Sequence, residues 1–335
     1  VSNTNDYIIT TLSSGSQEYT NLSDNPIQAP FSLGAPNART IRLTGAPYVS
    51  TVGQPSNIFT RQVISPDSGV SYISPFLYMD FETSSSTVVD GNQGTYSSLT
   101  GTLEKGTGTG DLAPRYVTSS PYEGTYSLEF YDNSNSITET NALNFGTPNE
   151  NPEWSMITGS FSFALWYYPY SLSNSFGFNS LFNHKTLTVG SYEWLIVLGD
   201  NTGSGDGPIG FYDPGQSPFW FKYEPQTGAA AIQPNQWNHI VVTVSGTVAD
   251  DNRKFRAYIN GTDLGILGKQ DFPAEYDASK EIFFGQWQWN SSAYELNGKI
   301  DEVSFWDFDL NPGQASALWN EGNGANAMTA LTQSS

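Results

Sequence analysis

Apolar and polar residues alternate with a period of two along much of this chain. In "SFSFALWYYP" (Ser160–Pro169), Phe161, Phe163 and Leu165 interleave with smaller residues until Pro169 stops the run. "WNHIVVTVSG" (Trp237–Gly246) sets Ile240, Val242 and Val244 against His239, Val241 and Thr243. A two-residue period puts each set on its own face of a strand. "KFRAYINGTDLGIL" holds two such runs around Asn260 and Gly261, a dipeptide suited to a two-residue hairpin turn with positive φ. Strands that follow one another with no helical spacing between them predict an all-β, antiparallel two-sheet sandwich. One short stretch, "NPGQASALWNEG", reads as a helix, with Asn311 as N-cap, Pro312 as first helical residue and Gly322 as C-cap. Its Ala315, Leu318 and Trp319 share the face that would pin it to the sandwich.

The closing strand poses a problem of its own. In "LNGKIDEVSFWDFDL" (Leu296–Leu310), strict alternation places Asp301 with Val303, Phe305 and Asp307. Ile300, Glu302, Ser304 and Trp306 then face the other way. Asp301 is expected beside a core, where a carboxylate needs a cation, an arginine or several N–H donors.

Composition narrows the rest. With 13 Lys and Arg against 33 Asp and Glu, the net charge is −20, which excludes nucleic acid and anionic membrane as partners and favours cations. No apolar run is long enough to span a bilayer. The absence of cysteine removes disulfides, thiolate metal sites and cysteine nucleophiles. The first residues, "VSNTNDYIITTLSSGS", have neither a basic start nor an apolar run, so no secretory signal is expected there.

The order of motifs carries a resemblance. "SPFLYMDFE" (Ser74–Glu82) is followed by the Gly-bearing loop "VVDGNQGTYSSLTGTLE", then "YEGTYSLEFYDNSNSIT", "GSFSFALWYYP", "QWNHIVVTVSG", "FRAYINGTDLG", "EIFFGQW" and the closing G-K-I-D-E-V strand with its helix. Over residues 74–322 this resembles the laminin-G-like, concanavalin-A-like jelly-roll superfamily, in its bacterial and phage forms. The resemblance implies a two-sheet jelly roll, placed at residues 74–325; residues 1–73 do not belong to it and read as an arm or small β subdomain, and residues 326–335 read as a tail. The resemblance also implies one structural calcium ion, with Asp80, Asp90, Asn92 and Asp301 as candidate ligands. Calcium takes 6–8 oxygen ligands and accepts backbone carbonyls, which suits a glycine-bearing loop beside carboxylates. The alternative is that Asp301 is held by backbone N–H groups and Asp90 is a turn residue.

Catalysis is not expected. Strict alternation puts Asp301 and Glu302 on opposite faces, Glu129 and Asp132 do not share a face, and His239 reads as a strand residue. Neither a Gly-x-Ser-x-Gly elbow nor a cysteine offers a nucleophile. Aromatic residues near turns suit sugar rings, with Trp289, Tyr294, Trp220 and Tyr212 as candidates. Residues 1–73 are rich in Pro, Gly, Ser and Thr and hold Arg39, Arg42 and Arg61, which suits docking on the acidic surface of other structural proteins of an assembly. The expected function is a non-catalytic structural or adhesion protein, exposed on a virion, with glycans and further copies of this chain as other partners. The alternative is a secreted carbohydrate-binding module or cell-surface adhesin.

Overall fold

The computed structural model describes residues 7–13, 16–21, 40–43, 73–82, 88–89, 93–96, 98–105, 113–130, 141–170, 179–185, 192–198, 209–212, 220–222, 230–247, 253–267, 276–285 and 296–331. The chain divides into two compact units, Val1–Ile73 with Thr332–Ser335, and Ser74–Leu331. In the first, β1 (Tyr7–Ser13) pairs antiparallel with β2 (Ser16–Asn21), and β2 pairs parallel with β3 (Thr40–Leu43).

The second unit is a sandwich of two sheets. Its strands are β4 (Leu77–Met79), β5 (Val88–Val89), β6 (Gly101–Lys105), β7 (Arg115–Val117), β8 (Ser127–Phe130), β9 (Asn141–Asn144), β10 (Phe161–Pro169) and β11 (Asn179–Lys185). They continue with β12 (Tyr192–Leu198), β13 (Ile209–Tyr212), β14 (Trp220–Lys222), β15 (Asn238–Ser245), β16 (Lys254–Ile259), β17 (Thr262–Ile266), β18 (Glu281–Gly285) and β19 (Gly298–Trp306). One sheet runs β17-β16-β15-β10-β19-β8-β7, with β4 also paired to β19. The other runs β14-β13-β12-β11-β18-β9-β6-β5. Every described pairing in both sheets is antiparallel, as the alternation predicts.

The periodic strands supply the core. Phe163 of β10, Phe182 of β11, Phe284 of β18 and Phe305 of β19 meet with ring centroids 5.1–6.1 Å apart. Trp154 packs edge-on to Phe305 at 5.2 Å and also against Phe76 and Phe145. Each such buried ring contributes roughly 1.5–3 kcal/mol from desolvation alone. The β16–β17 hairpin turns at Asn260 (φ 48°) and Gly261 (φ 74°), with Ile259 opposite Thr262.

Helix α1 (Pro312–Trp319) starts as expected. Asn311 accepts from the Gln314 N–H, and the Gln314 side chain returns a bond to the Asn311 N–H. Its end differs from the sequence reading. Asn320, not Gly322, takes the left-handed cap conformation, and Gly322 closes a further single turn, Asn320–Gly322. Residues read as a tail hold a second short helix, α2 (Ala327–Ala330), with Ala327 and Leu331 buried.

Candidate functional site

The closing strand β19 departs from strict alternation, and this decides where its carboxylates go. Between Ala164 and Trp166 of β10 the register slips: Ala164 faces Ser304, while Trp166 faces Asp301. Two residues of β19 therefore oppose one of β10, and Glu302 takes φ 54°. This is a β-bulge. Ile300, Val303 and Phe305 all lie in the core, and Asp301 does not join them. The expectation that Asp301 shares a face with Val303 and Phe305 fails because the extra residue resets the alternation. The charge of Glu302 acts on its chain neighbour Asp301.

Asp301 is fully buried, and its partners are backbone N–H groups. Oδ2 accepts from Tyr122 at 2.9 Å and Glu123 at 3.5 Å, and Oδ1 accepts from Glu302 at 2.9 Å. Burial, with the neighbouring Glu302 charge, pushes its carboxyl up to about 8 despite these donors. Glu302 accepts the Tyr78 hydroxyl and is pushed up to about 7, first by burial and further by the carboxylates of Glu123, Asp80 and Glu82. Asp301 thereby holds the segment after β7 in place. Lys299 assists from the same strand, with Nζ donating to the carbonyls of Ser119 and Ser120. Glu82 accepts from the Thr125 and Tyr126 N–H groups. Tyr122 stacks on Trp166 at 3.7 Å and 12°.

Of the candidate calcium ligands, Asp90 and Asn92 lie outside the described residues. Asp80 accepts from the Gln93 side chain and the Glu82 N–H, and none of these donors is shared with Asp301. Among the described residues, no three carboxylates or histidines are grouped to hold a metal ion. Asp301 is met by backbone N–H donors, the alternative to a cation that the sequence allowed, although these donors do not keep its carboxyl in the ordinary range.

Trp289 and Tyr294 also lie outside the described residues. Tyr212 and Trp220 occupy strand positions rather than loops, on β13 and β14. Their register belongs to a row across seven strands. Trp220 is opposite Tyr212, then come Leu195, Asn183, Phe283, Asn144 and Thr102, each opposite the next. Opposed residues share a face. The alternate positions, among them Phe211, Ile196, Phe182, Phe284 and Leu143, hold the core between the sheets, so this row belongs to the other face of its sheet, where Leu195, Asn183, Phe283 and Asn144 are nonetheless buried and Thr102 is exposed. Asn144 donates to Glu281 at 3.2 Å and also bonds Glu104. Burial raises the Glu104 carboxyl, and the Glu281 charge adds to the shift.

Both histidines are structural. His239 is buried with its ring 4.9 Å from Trp166, and burial depresses it to about 3. His184 is buried beside Trp194 and Tyr276 and depressed to about 4, again by burial. Glu129, weighed as a catalytic group, is paired with Arg115 at 2.8 Å and accepts the Tyr170 hydroxyl. Asp132 lies outside the described residues. Sequence reading passed over Tyr78 and the aromatic group of Tyr168, Tyr170 and Trp237. The "YYPY" ending of β10 carried the signal for that group, since a period of two puts Tyr168 and Tyr170 on the face opposite Tyr167.

The domain shares low sequence identity with several solved structures. Domain 4 of AbnA, an extracellular arabinanase from Geobacillus stearothermophilus solved with arabinotriose, is 18% identical, over 73% of this chain and 98% of that one, with a TM-score of 0.48. The SAP-like pentraxin of Limulus polyphemus is 14% identical, over 48% and 70%, at 0.37. The CBM40 of the Ruminococcus gnavus IT-sialidase, bound to α2,3-sialyllactose, is 14% identical, over 54% and 94%, at 0.40. No curated protein sequence matches the chain. A laminin-G-type family model matches residues 134–316, more than half of the chain and most of the strands just described. The chain belongs to the concanavalin A-like lectin/glucanases superfamily.

Proposed function

We propose that this protein is a non-catalytic glycan-recognising protein. Membership of a superfamily named for lectins and glucanases supports the reading, because both act on saccharides. The arrangement of carboxylates favours binding. Glycoside hydrolysis needs two carboxyl groups with the scissile bond between them. Between Glu104 and Glu281 stands the Asn144 amide, bonded to both. Glu129 is tied to Arg115 and Tyr170, and Asp301 and Glu302 to Tyr122 and Tyr78. This reading assigns the glycan to the side of the sheet that carries the row from Trp220 to Thr102, at the exposed Thr102; Leu195, Asn183, Phe283 and Asn144 are buried within the row and do not reach it.

The test is gel retardation of the full chain in polysaccharide-containing gels, with a reducing-end assay on the same polymers. Retardation without new reducing ends supports binding. Hydrolysis that disappears in Glu104→Gln or Glu281→Gln replaces the reading with a glucanase.

The setting of this activity is an exposed component of a virion, with residues 1–73 docked on other structural proteins. The acid-poor segment around Arg39, Arg42 and Arg61 supports it, because it contrasts with a chain of net charge −20. An arm that orders on docking loses roughly 1–2 kcal/mol per residue and needs a large interface to hold. Deleting residues 1–60 is expected to leave a folded jelly roll that no longer co-purifies with particles; retention of the truncated protein refutes the docking role.

A further inference from the structure

On the opposite sheet, four aromatic residues stand outside the core at the end where β10 gives way to its loop. Tyr122, Trp237, Tyr168 and Tyr170 follow one another with ring centroids 6.0, 5.5 and 5.9 Å apart. None belongs to the core cluster or is packed against it. Tyr170 is 37% exposed, and Tyr122, Tyr168 and Trp237 are half-buried. Rings left at a surface in a row leave apolar area in water, which a fold has no reason to retain for stability alone.

The row is held rigid from beneath. Lys299 lies 4.3 Å from the Tyr168 ring centre and 5.4 Å from that of Trp237, and its ammonium is bound to the Ser119 and Ser120 carbonyls. The Trp237 indole N–H donates to Ser120 at 3.2 Å. The Asn235 N–H donates to Pro169 and the Tyr170 N–H to Asn297, which fastens the two neighbouring loops to the end of β10. A surface ordered before binding loses little entropy when it binds.

We propose that this row is a second saccharide-binding surface, independent of the Trp220-to-Thr102 row, and that it takes a neutral oligosaccharide. Aromatic faces suit the C–H faces of pyranose rings. Adjacent planes cross at 70–77°, so the row forms notches that would seat successive sugar units rather than one flat shelf. Hydroxyl recognition is at hand where Arg115, its side chain 59% exposed, meets Glu129 beside Tyr170. A guanidinium and a carboxylate together present paired donors and acceptors to vicinal hydroxyls. Charge selects the class. Lys299 is only 3% exposed and already bound, Arg115 is neutralised by Glu129, and the chain carries −20, so a sialylated or sulfated glycan meets repulsion, and the cations beside the row among the described residues are already paired.

The experiment is a titration of the full chain, by calorimetry and tryptophan fluorescence, with neutral hexasaccharides (cello-, xylo-, manno- and arabino-), with 3′-sialyllactose and with a heparin hexasaccharide. Binding of a neutral hexasaccharide, weakened about tenfold or more by Tyr170→Ala and by Trp237→Ala, is the expected result. Tyr170 is exposed, so its alanine variant is expected to fold; Trp237→Phe retains a ring and is expected to recover part of the affinity. Neutral binding that survives Tyr170→Ala and Trp237→Ala overturns this second surface while leaving the proposed function standing. Binding confined to the anionic probes overturns the charge argument. If none of these saccharides binds, the second surface is overturned, and polysaccharide retardation then decides the proposed function separately.

Discussion

Raising the pH from 6.5 to 8.5 is expected to remove about 3 kcal/mol of stability from the jelly-roll unit. Asp301 and Glu302 have folded-state values of about 8 and about 7, both above the ordinary carboxylate range. Where the folded state binds more protons than the unfolded state, stability falls as pH rises, until each group has ionised in both. Between pH 4.5 and 6.5 this fall is opposed. His184 and His239, depressed to about 4 and about 3, are neutral when folded and charged when unfolded, so they add stability as pH rises towards 6.5. Two rising and two falling contributions of about 1.4 kcal/mol per pH unit each cancel there, giving a plateau. Above pH 6.5 the histidines drop out. Asp301 then costs about 2 kcal/mol by pH 8 and Glu302 less than 1 kcal/mol by pH 7. Glu104 adds in the same direction. All nine tryptophans lie beyond Ser74, so urea titrations followed by tryptophan fluorescence report this unit alone. Asp301→Asn should change stability little at pH 6.5, because folded Asp301 is protonated there and, like an amide, presents one carbonyl oxygen and one hydrogen-bearing group to the three N–H donors. It should also shrink the fall above pH 6.5 to about 1 kcal/mol. Stability that is flat or rising from pH 6.5 to 8.5 in the wild-type chain refutes the reasoning.

Other consequences follow from single contacts. Gly261→Ala places a methyl group 2.3 Å from Trp319 Cδ1 at φ +74°, and should cost about 2–3 kcal/mol in urea unfolding. Gly265→Ala, at φ +78° with nothing within 4 Å, should cost only about 1 kcal/mol. Phe163→Ala, at the meeting of four rings between the sheets, should cost about 3–5 kcal/mol by the same assay. Chelation should leave the melting temperature unchanged, because Asp301 is met by backbone donors and keeps its proton below about pH 8; a chelator-sensitive melt would instead support a calcium site.

Much of the sandwich was legible because its strands obey simple rules. The period of two in Phe161–Leu165 and Ile240–Val244 placed those side chains in the core, and Asn260-Gly261 marked its hairpin. The chemistry around Asp301 was only half legible. Burial of the carboxylate was readable from the apolar residues around it, and backbone N–H donors were one of the answers considered. Its face was not readable, because a β-bulge depends on the register against β10, and no local residue pattern in "KIDEVSF" announces it. The row from Trp220 to Thr102 was equally out of reach, since it needs the order of seven strands that are not consecutive in sequence. The C-cap was misplaced for a local reason: asparagine tolerates the left-handed conformation, and Asn320 precedes the glycine that usually takes it.

A glycan array probed with the full chain, with each retained glycan then incubated with the protein and its products separated, tests the proposed role most directly. Retention of at least one saccharide, intact after prolonged incubation, is the predicted result. An array with no retained glycan contradicts saccharide recognition, and cleavage of a retained glycan contradicts its non-catalytic character.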